Sequence, residues 1–312
     1  MAKNRRGRVV NGILVLHKPG GQSSNRSLQI AKRLYNAQKA GHTGSLDPLA
    51  TGVLPLCFGE ATKFSGFLLD ADKAYRSTFQ FGVITASGDA DGDVLERRDT
   101  AGIDEATIVA GLPAFSGEID QVPSMFSALK HQGQPLYKLA RQGIEVERKV
   151  RRVTVFEIYL EAFRPASVTG DCPEADVYIR CTKGTYVRSI AEDLGLALGC
   201  GAHVKALHRV QAGPFAESQA VTLEQLETLN AAEDFDALDG LLQPADVALQ
   251  EFDKVVLEPE SVFYMLRGNP VQAPGLPLEG IVRLYTEEQE FIGIGEVLDD
   301  GRVGPKRLIA TN

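Results

Sequence analysis

Two strand-like runs, Val153–Phe163 and Ala175–Thr182, constrain the fold more than any other feature of this 312-residue chain. Both are rich in β-branched and aromatic residues, and they read as neighbouring strands. Further strands are expected at Gly12–His17, Val53–Phe58, Tyr75–Phe81 and Val204–Val210. Tyr75–Phe81 sets Tyr, Ser, Phe and Phe at even spacing, the pattern of a half-exposed strand. A helix is expected from a Ser23 or Ser24 cap to Tyr35, with Leu28, Ile30, Ala31 and Leu34 inward. Others fall at Ala61–Leu69, Asp104–Leu112, Leu136–Gln142 (ended by Gly143) and Tyr186–Leu198, the last with Ile190, Leu194 and Ala197 inward. Strands and helices mix without a regular βαβ repeat. The expected class is therefore α+β, a large mixed, mainly antiparallel sheet flanked by helices.

The C-terminal part reads differently. Val221–Asn230 is helical, and the acidic stretch Ala231–Asp239 reads as a linker or surface segment. From about Glu251 short strands alternate with Gly and Pro turns: Lys254–Leu257, Gly280–Thr286, Phe291–Leu298 and Arg307–Ala310. With one short helix around Ser261–Leu266, this describes a small β-barrel of roughly 60 residues. Two domains are expected, 1–250 and 251–312.

Charge also separates along the chain. The net charge is −8, yet residues 1–210 hold 27 Lys and Arg against 22 Asp and Glu, and residues 211–312 hold 6 against 19. Ser124–Arg152 is strongly basic, which gives an acidic chain a usable basic face. The Arg148–Arg152 cluster alone fits a solvated surface equally well. Cys57, Cys172, Cys181 and Cys200 show neither CxxC pairing nor histidine at metal-ligand spacing, so buried inert thiols are expected and zinc is not. There is no GxGxxG or P-loop, hence no nucleotide cofactor. No apolar run nears the ~18 residues of a membrane span. The basic head is followed by an apolar run, Gly12–Leu16, too short for a signal peptide, so a cytoplasmic location is expected.

One loop stands out for chemistry. Gly41-His42-Thr43-Gly44-Ser45-Leu46-Asp47-Pro48-Leu49-Ala50-Thr51-Gly52 sets a single carboxylate, Asp47, among three glycines and a proline. The segment reads as a shaped turn, neither helix nor strand. A carboxylate on such a loop is a candidate nucleophile or base. By spacing alone, bracing its own turn is the commoner task.

Resemblance tips the balance. GHTGSLDPLATGVLP resembles the catalytic motif of the TruB-type tRNA pseudouridine-55 synthases, which isomerise the T-loop uridine of transfer RNA. NGILVLHKPGGQSSN, DKAYRS, DADGD, VPSMFSALK, KGTYVRSIAEDLG and CGAHVKALHRVQAGPF are similar to further segments of that family, in order, over nearly the whole first 215 residues. The resemblance implies a pseudouridine synthase fold followed by a PUA-like barrel, and no cofactor or metal. It makes Asp47 the catalytic aspartate, Arg188 its partner and Tyr75 the residue stacking on the target uracil. Tyr186 and Leu207 are implied in the pocket wall, Lys18 and Pro19 beneath the loop, and His42 in the stack vacated by the flipped base. Lys130, Lys138, Arg141 and Arg148–Arg152 are expected to contact the RNA backbone. Read without the resemblance, Arg188 is a surface arginine at a helix start and Tyr75 half-buried packing.

Three positions depart from the family pattern: Ser45 stands for alanine or threonine, Phe126 for a tyrosine, and His17 for an aspartate. Rival readings are a guide-dependent RNA-modifying relative, an RNA-folding protein whose catalysis is dispensable, and a non-RNA hydrolase. The last would need a second catalytic carboxylate or a Ser-His pair that the sequence does not offer. The expected partner is the tRNA T-arm, without guide RNA or membrane, and the expected state a monomer.

Overall fold

The run GILVLHK forms an edge strand of the main sheet, and its nearly continuous burial shows that both its faces are covered. The structure, a computed structural model, describes residues 7–169 and 172–310; the basic head at residues 1–6 lies outside them. The main strands and helices are β1 (Gly12–Lys18), α1 (Ser24–Leu34), β2 (Ala40–His42), β3 (Thr51–Phe58), α2 (Ser65–Asp70), β4 (Lys73–Phe81), α3 (Glu105–Gly111), β5 (Gly117–Gln121), α4 (Leu136–Ala140), β6 (Arg151–Arg164), β7 (Glu174–Cys181), α5 (Val187–Ala197), β8 (Ala202–Ala212), α6 (Leu223–Ala231) and α7 (Phe235–Gly240). The sheet runs β1-β3-β8-β4-β7-β6-β5, with β2 beside β3. Its pairings are antiparallel except β3 with β8. This is the α+β architecture expected, with β6 and β7 as neighbours.

Packing follows the pattern of the strands. On β4, Ser77, Phe79 and Phe81 are buried while Arg76 on the other face is exposed. Phe79 and Phe81 join Val177, Ile179, Ile190 and Leu194 in the core under α5. α1 and α6 close a second core on Leu14, Leu16, Leu54 and Leu56. Ser23 caps α1 by accepting from the Arg26 amide at 3.2 Å, and Thr222 with Gln225 forms the capping box of α6.

Several expectations need correction. The helix expected over Ala61–Leu69 splits into a 3-10 turn, Gly59–Lys63, and α2, because the fully buried Phe64 between them leaves helical geometry. Ala197 is exposed at the last position of α5, and Val187 and Ala191 complete the buried stripe with Ile190 and Leu194 at i, i+3, i+4 spacing. Ala231–Asp239 is no mere linker. It enters α7, where Asp234 caps the helix, Leu238 is fully buried and the Leu238 carbonyl accepts from the Tyr35 hydroxyl at 2.7 Å.

The C-terminal segment holds β9 (Asp253–Val256), α8 (Pro259–Met265), β10 (Ile281–Tyr285), β11 (Phe291–Val297) and β12 (Val303–Leu308), the last starting earlier than expected. They form a four-stranded sheet in the order β9-β10-β11-β12, and no β9–β12 pairing closes a barrel among the described residues. The sheet has its own apolar cluster around Val255, Met265, Val282 and Leu284. It also packs Ile294 against Leu249, Phe64 and Phe215 of the preceding part.

Candidate active site

The Gly41–Gly52 segment is less irregular than its composition suggests: β2 runs to His42 and β3 begins at Thr51, leaving Thr43–Ala50 as the loop proper. The start of α1 anchors it, since the Ser24 hydroxyl accepts from the Leu46 amide (2.8 Å) and donates to the Leu46 carbonyl (3.1 Å). Lys18 lies beneath it, fully buried, with Nζ donating to the carbonyls of Ala50 (2.6 Å), Pro19 (2.9 Å) and Pro48 (3.3 Å). Burial lowers its pKa to about 8, with Asp47 pulling the other way. Lys18 thus ties the loop carbonyls of Pro48 and Ala50 to that of Pro19 just after β1.

Asp47, Tyr75, Tyr186, Arg188 and Leu207 line one cleft of about 420 Å³. Arg188, at the start of α5 and 4% exposed, sets Nη2 3.0 Å from Asp47 Oδ2 and Nη1 3.4 Å from Asp89 Oδ2. It also donates to the carbonyls of Ser87 (2.9 Å) and Phe126 (3.1 Å). The two carboxylates offset the unfavourable placement of a cation at a helix N-terminus. Phe126 serves here through its backbone, so the missing hydroxyl does not disturb this contact. Burial raises the Asp47 pKa above the ordinary carboxylate range, against the opposing pull of Arg188.

β4 brings Tyr75 to the cleft, and the register sets it opposite Arg209 on β8. Burial raises the phenol pKa, while the Arg209 charge pulls it down. Tyr186 is fixed through its backbone: its amide donates to Gln121 Oε1 (3.0 Å) and its carbonyl accepts from Gln121 Nε2 (3.2 Å). Leu207 stands two residues before Arg209 on β8.

The remaining expected residues lie apart. His42 ends β2 outside the cleft wall, half-buried, and burial lowers its pKa, with Arg209 adding to the effect. Lys130 is exposed in a short hairpin and Arg141 sits against the Tyr137 ring after α4, both beyond the cleft. Of the basic run, Arg151 lines the cleft, whereas Arg152 pairs with Asp120 (3.3 Å) and Arg148 with Glu145 (3.3 Å). All four cysteines are buried, and burial pushes Cys181 up to about 11 and Cys57 to about 12.

Sequence reasoning missed three residues. Asp89 is buried and orients Arg188, Gln121 holds Tyr186, and Arg209 is 1% exposed with Nε donating to the Val53 carbonyl at 2.7 Å. The available signal was a charge within an apolar strand for Arg209 and the acidic run DADGD for Asp89. Chemically, the cleft offers an ionisable carboxylate beside a fixed guanidinium, with an aromatic ring next to them. That set suits attack on, or stabilisation of, an electron-poor carbon of a nucleoside.

Residues 32–187 match the family described as TruB family pseudouridylate synthase (N terminal domain). Residues 188–250 match the tRNA pseudouridylate synthase B C-terminal domain, and 254–309 the family described as Pseudouridine synthase II TruB, C-terminal. The chain is 55% identical over 303 residues to the tRNA pseudouridine synthase B of Pseudomonas aeruginosa (strain UCBPP-PA14), covering 97% of each. It is 52% identical to the protein of that name from Saccharophagus degradans, covering 99% of this chain and 98% of the relative. Among solved structures, a chain in the crystal structure of a Cbf5-Nop10-Gar1 complex matches with TM-score 0.70 and 25% identity, covering 97% of this chain and 85% of that one. A chain of an H/ACA RNP bound to a substrate RNA containing 2'-deoxyuridine matches with TM-score 0.72 and 22% identity, covering 100% and 92%, and shows the same fold. The chain belongs to the TruB family of pseudouridylate synthases.

Proposed function

We propose that this protein isomerises uridine 55 in the T-loop of tRNA to pseudouridine, with Asp47 as the nucleophile. The observation that carries the reading is the Asp47–Arg188 pair, 3.0 Å apart in the cleft that Tyr75 also lines, in a chain of this family. The reaction breaks the N1–C1′ bond, turns the uracil and rejoins it through C5. It is redox-neutral and transfers no phosphate, so carboxylate chemistry suffices and no cofactor is invoked.

In this reading the target base leaves its stack, at a cost of a few kcal/mol, and enters the cleft. His42 fills the gap, Tyr75 packs on the uracil, and Leu207 and Tyr186 wall it in. Arg188 keeps Asp47 ionised once RNA excludes water. Lys130, Arg141 and the basic residues near them contact the backbone by charge and shape. Residues 1–250 act as the catalytic domain, and 251–312 as a PUA-like RNA-binding module. The protein works as a cytoplasmic monomer without guide RNA.

The test is incubation with an unmodified T-arm stem-loop, followed by pseudouridine mapping, with Asp47→Asn in parallel. Conversion of the single T-loop uridine, lost in the variant, is expected. Tight binding by the wild type without conversion would overturn the enzyme reading in favour of an RNA-folding protein.

A further inference from the structure

The C-terminal end of the Asp47 loop is tied down by three side chains outside the reacting set. β8 meets β3 in a parallel contact only two residues long, His208 opposite Thr51 and Arg209 opposite Gly52. There His208 Nδ1 lies 2.7 Å from Thr51 Oγ1, and Nε2 lies 2.9 Å from Glu217 Oε2. The ring thus bridges the Thr51 hydroxyl and the Glu217 carboxylate, one nitrogen to each. Glu217 is itself held by Arg76, 3.5 Å away. The His208 ring also packs on His17, with centroids 5.6 Å apart, next to Lys18 in sequence.

Thr51 is four residues from Asp47, and the turn between them closes through the Ala50 amide donating to the Asp47 carbonyl at 3.1 Å. Lys18 supports this turn from beneath, through carbonyls alone. A two-residue parallel contact is a weak brake on sliding of β3 along β8. Arg209 Nε donates across it to the Val53 carbonyl at 2.7 Å, and the Thr51–His208 bond adds a second side-chain restraint, the one nearest the Asp47 loop.

We propose that His208 is a positioning residue for the reaction, holding the Asp47 loop in register through Thr51 and braced by Glu217; the proposal rests on the reading of Asp47 as the reacting carboxylate. A displacement of about 1 Å at a reacting group can cost on the order of 100-fold in rate. His208 and Glu217 are partly exposed, with 31% and 44% of their side-chain surface open, so water replaces part of a lost bond and about a tenfold loss is expected.

The experiment measures single-turnover conversion and RNA affinity of a T-arm stem-loop for wild type, His208→Phe, Thr51→Val, Thr51→Ser and the His208→Phe/Thr51→Val double variant. Wild-type conversion, lost in Asp47→Asn, is read first, so failure of the parent reading shows separately. Expected are a roughly tenfold slower chemical step in His208→Phe and in Thr51→Val, affinity within twofold, near-wild-type rate in Thr51→Ser, and no further loss in the double variant. A wild-type rate in His208→Phe, a loss confined to affinity, or independent losses that multiply would overturn the proposal. Should His208→Phe fold poorly, the Thr51→Val and Thr51→Ser comparison decides: equal rates in the two overturn it.

Discussion

The Asp47 carboxylate lies 3.0 Å from Arg188 Nη2, and the same guanidinium holds Asp89 and the carbonyls of Ser87 and Phe126. Arg188 is therefore fixed before any substrate arrives, and its charge is shared between two carboxylates. In the proposed reading Asp47 reacts in its ionised form, while burial raises its pKa. The rate of conversion should accordingly fall, as pH drops, at a pH above that of an exposed aspartate. Arg188→Gln removes the opposing pull, so the acid limb moves further up and the neutral-pH rate falls by about 100-fold or more. A pH profile of single-turnover rates checks both, and an acid limb unmoved in Arg188→Gln would refute the pairing's role.

Asp89 contacts Arg188 on the side away from Asp47, and its charge also adds to the upward push on the Asp47 pKa. Asn at this position keeps the shape and the acceptor of the bonds from the Ser87 hydroxyl (2.5 Å) and the Asp91 amide (3.2 Å), but loses the charge facing the guanidinium. Arg188 then keeps a single carboxylate partner, Asp47, beside the carbonyls of Ser87 and Phe126. Asp89→Asn is expected to slow conversion about tenfold, with RNA affinity within twofold and little change in melting temperature. Parallel rate and binding assays test this, and an unchanged rate would show that Arg188 needs no second carboxylate.

Glu192 follows Arg188 by one turn of α5, its carboxylate packed 2.7–2.9 Å from where a Cβ on Gly88 would lie. Burial raises its pKa to about 7, against the pull of Arg188. A folded-state pKa above the unfolded value means that stability is full below the unfolded pKa and is lost as pH rises through the folded one. Glu192 therefore costs stability progressively between about pH 4.5 and 7. Glu192→Gln should be more stable than wild type at pH 8, by about 1–2 kcal/mol after allowing for partial exposure, and the gain should vanish near pH 4.5. Denaturant melts at the two pH values decide; a gain equal at both would mean that packing, not ionisation, is responsible.

The fold was legible in the sequence where burial is one-sided or complete. β4, β6 and β7 carry alternation or dense apolar content, and their pairing follows. Asp47, Tyr75 and Arg188 were reached through resemblance, because a loop aspartate, a strand tyrosine and a helix-start arginine each have commoner uses. Asp89, Gln121 and Arg209 were not reached. Asp89 lies 99 residues from Arg188 along the chain, and only the packing of the Ser87–Asp89 turn against α5 joins them. α7 was hidden by its acidic composition, since its packing rests on Leu238, the partly buried Phe235 and the Tyr35 hydroxyl. The parallel β3–β8 contact had no signal at all, because two residues are too few for a pattern.

That contact sets the last prediction. Gly52 has φ of +100°, and a Cβ there would lie 2.3 Å from the Arg209 carbonyl oxygen and 2.9 Å from the Arg209 amide nitrogen. Both neighbours are backbone atoms of the adjacent strand, so neither can swing aside. Gly52→Ala must strain its own backbone and push β8 away from β3 at the base of the cleft. Gly275, at φ +72° with nothing within 4 Å, isolates the backbone cost alone. Gly275→Ala is expected to cost about 1 kcal/mol, and Gly52→Ala about 3 kcal/mol or more, with loss of conversion. Chemical denaturation of the two variants measures the difference. Equal costs would show that Gly52 is required only for its torsion angle and that the β3–β8 approach can relax.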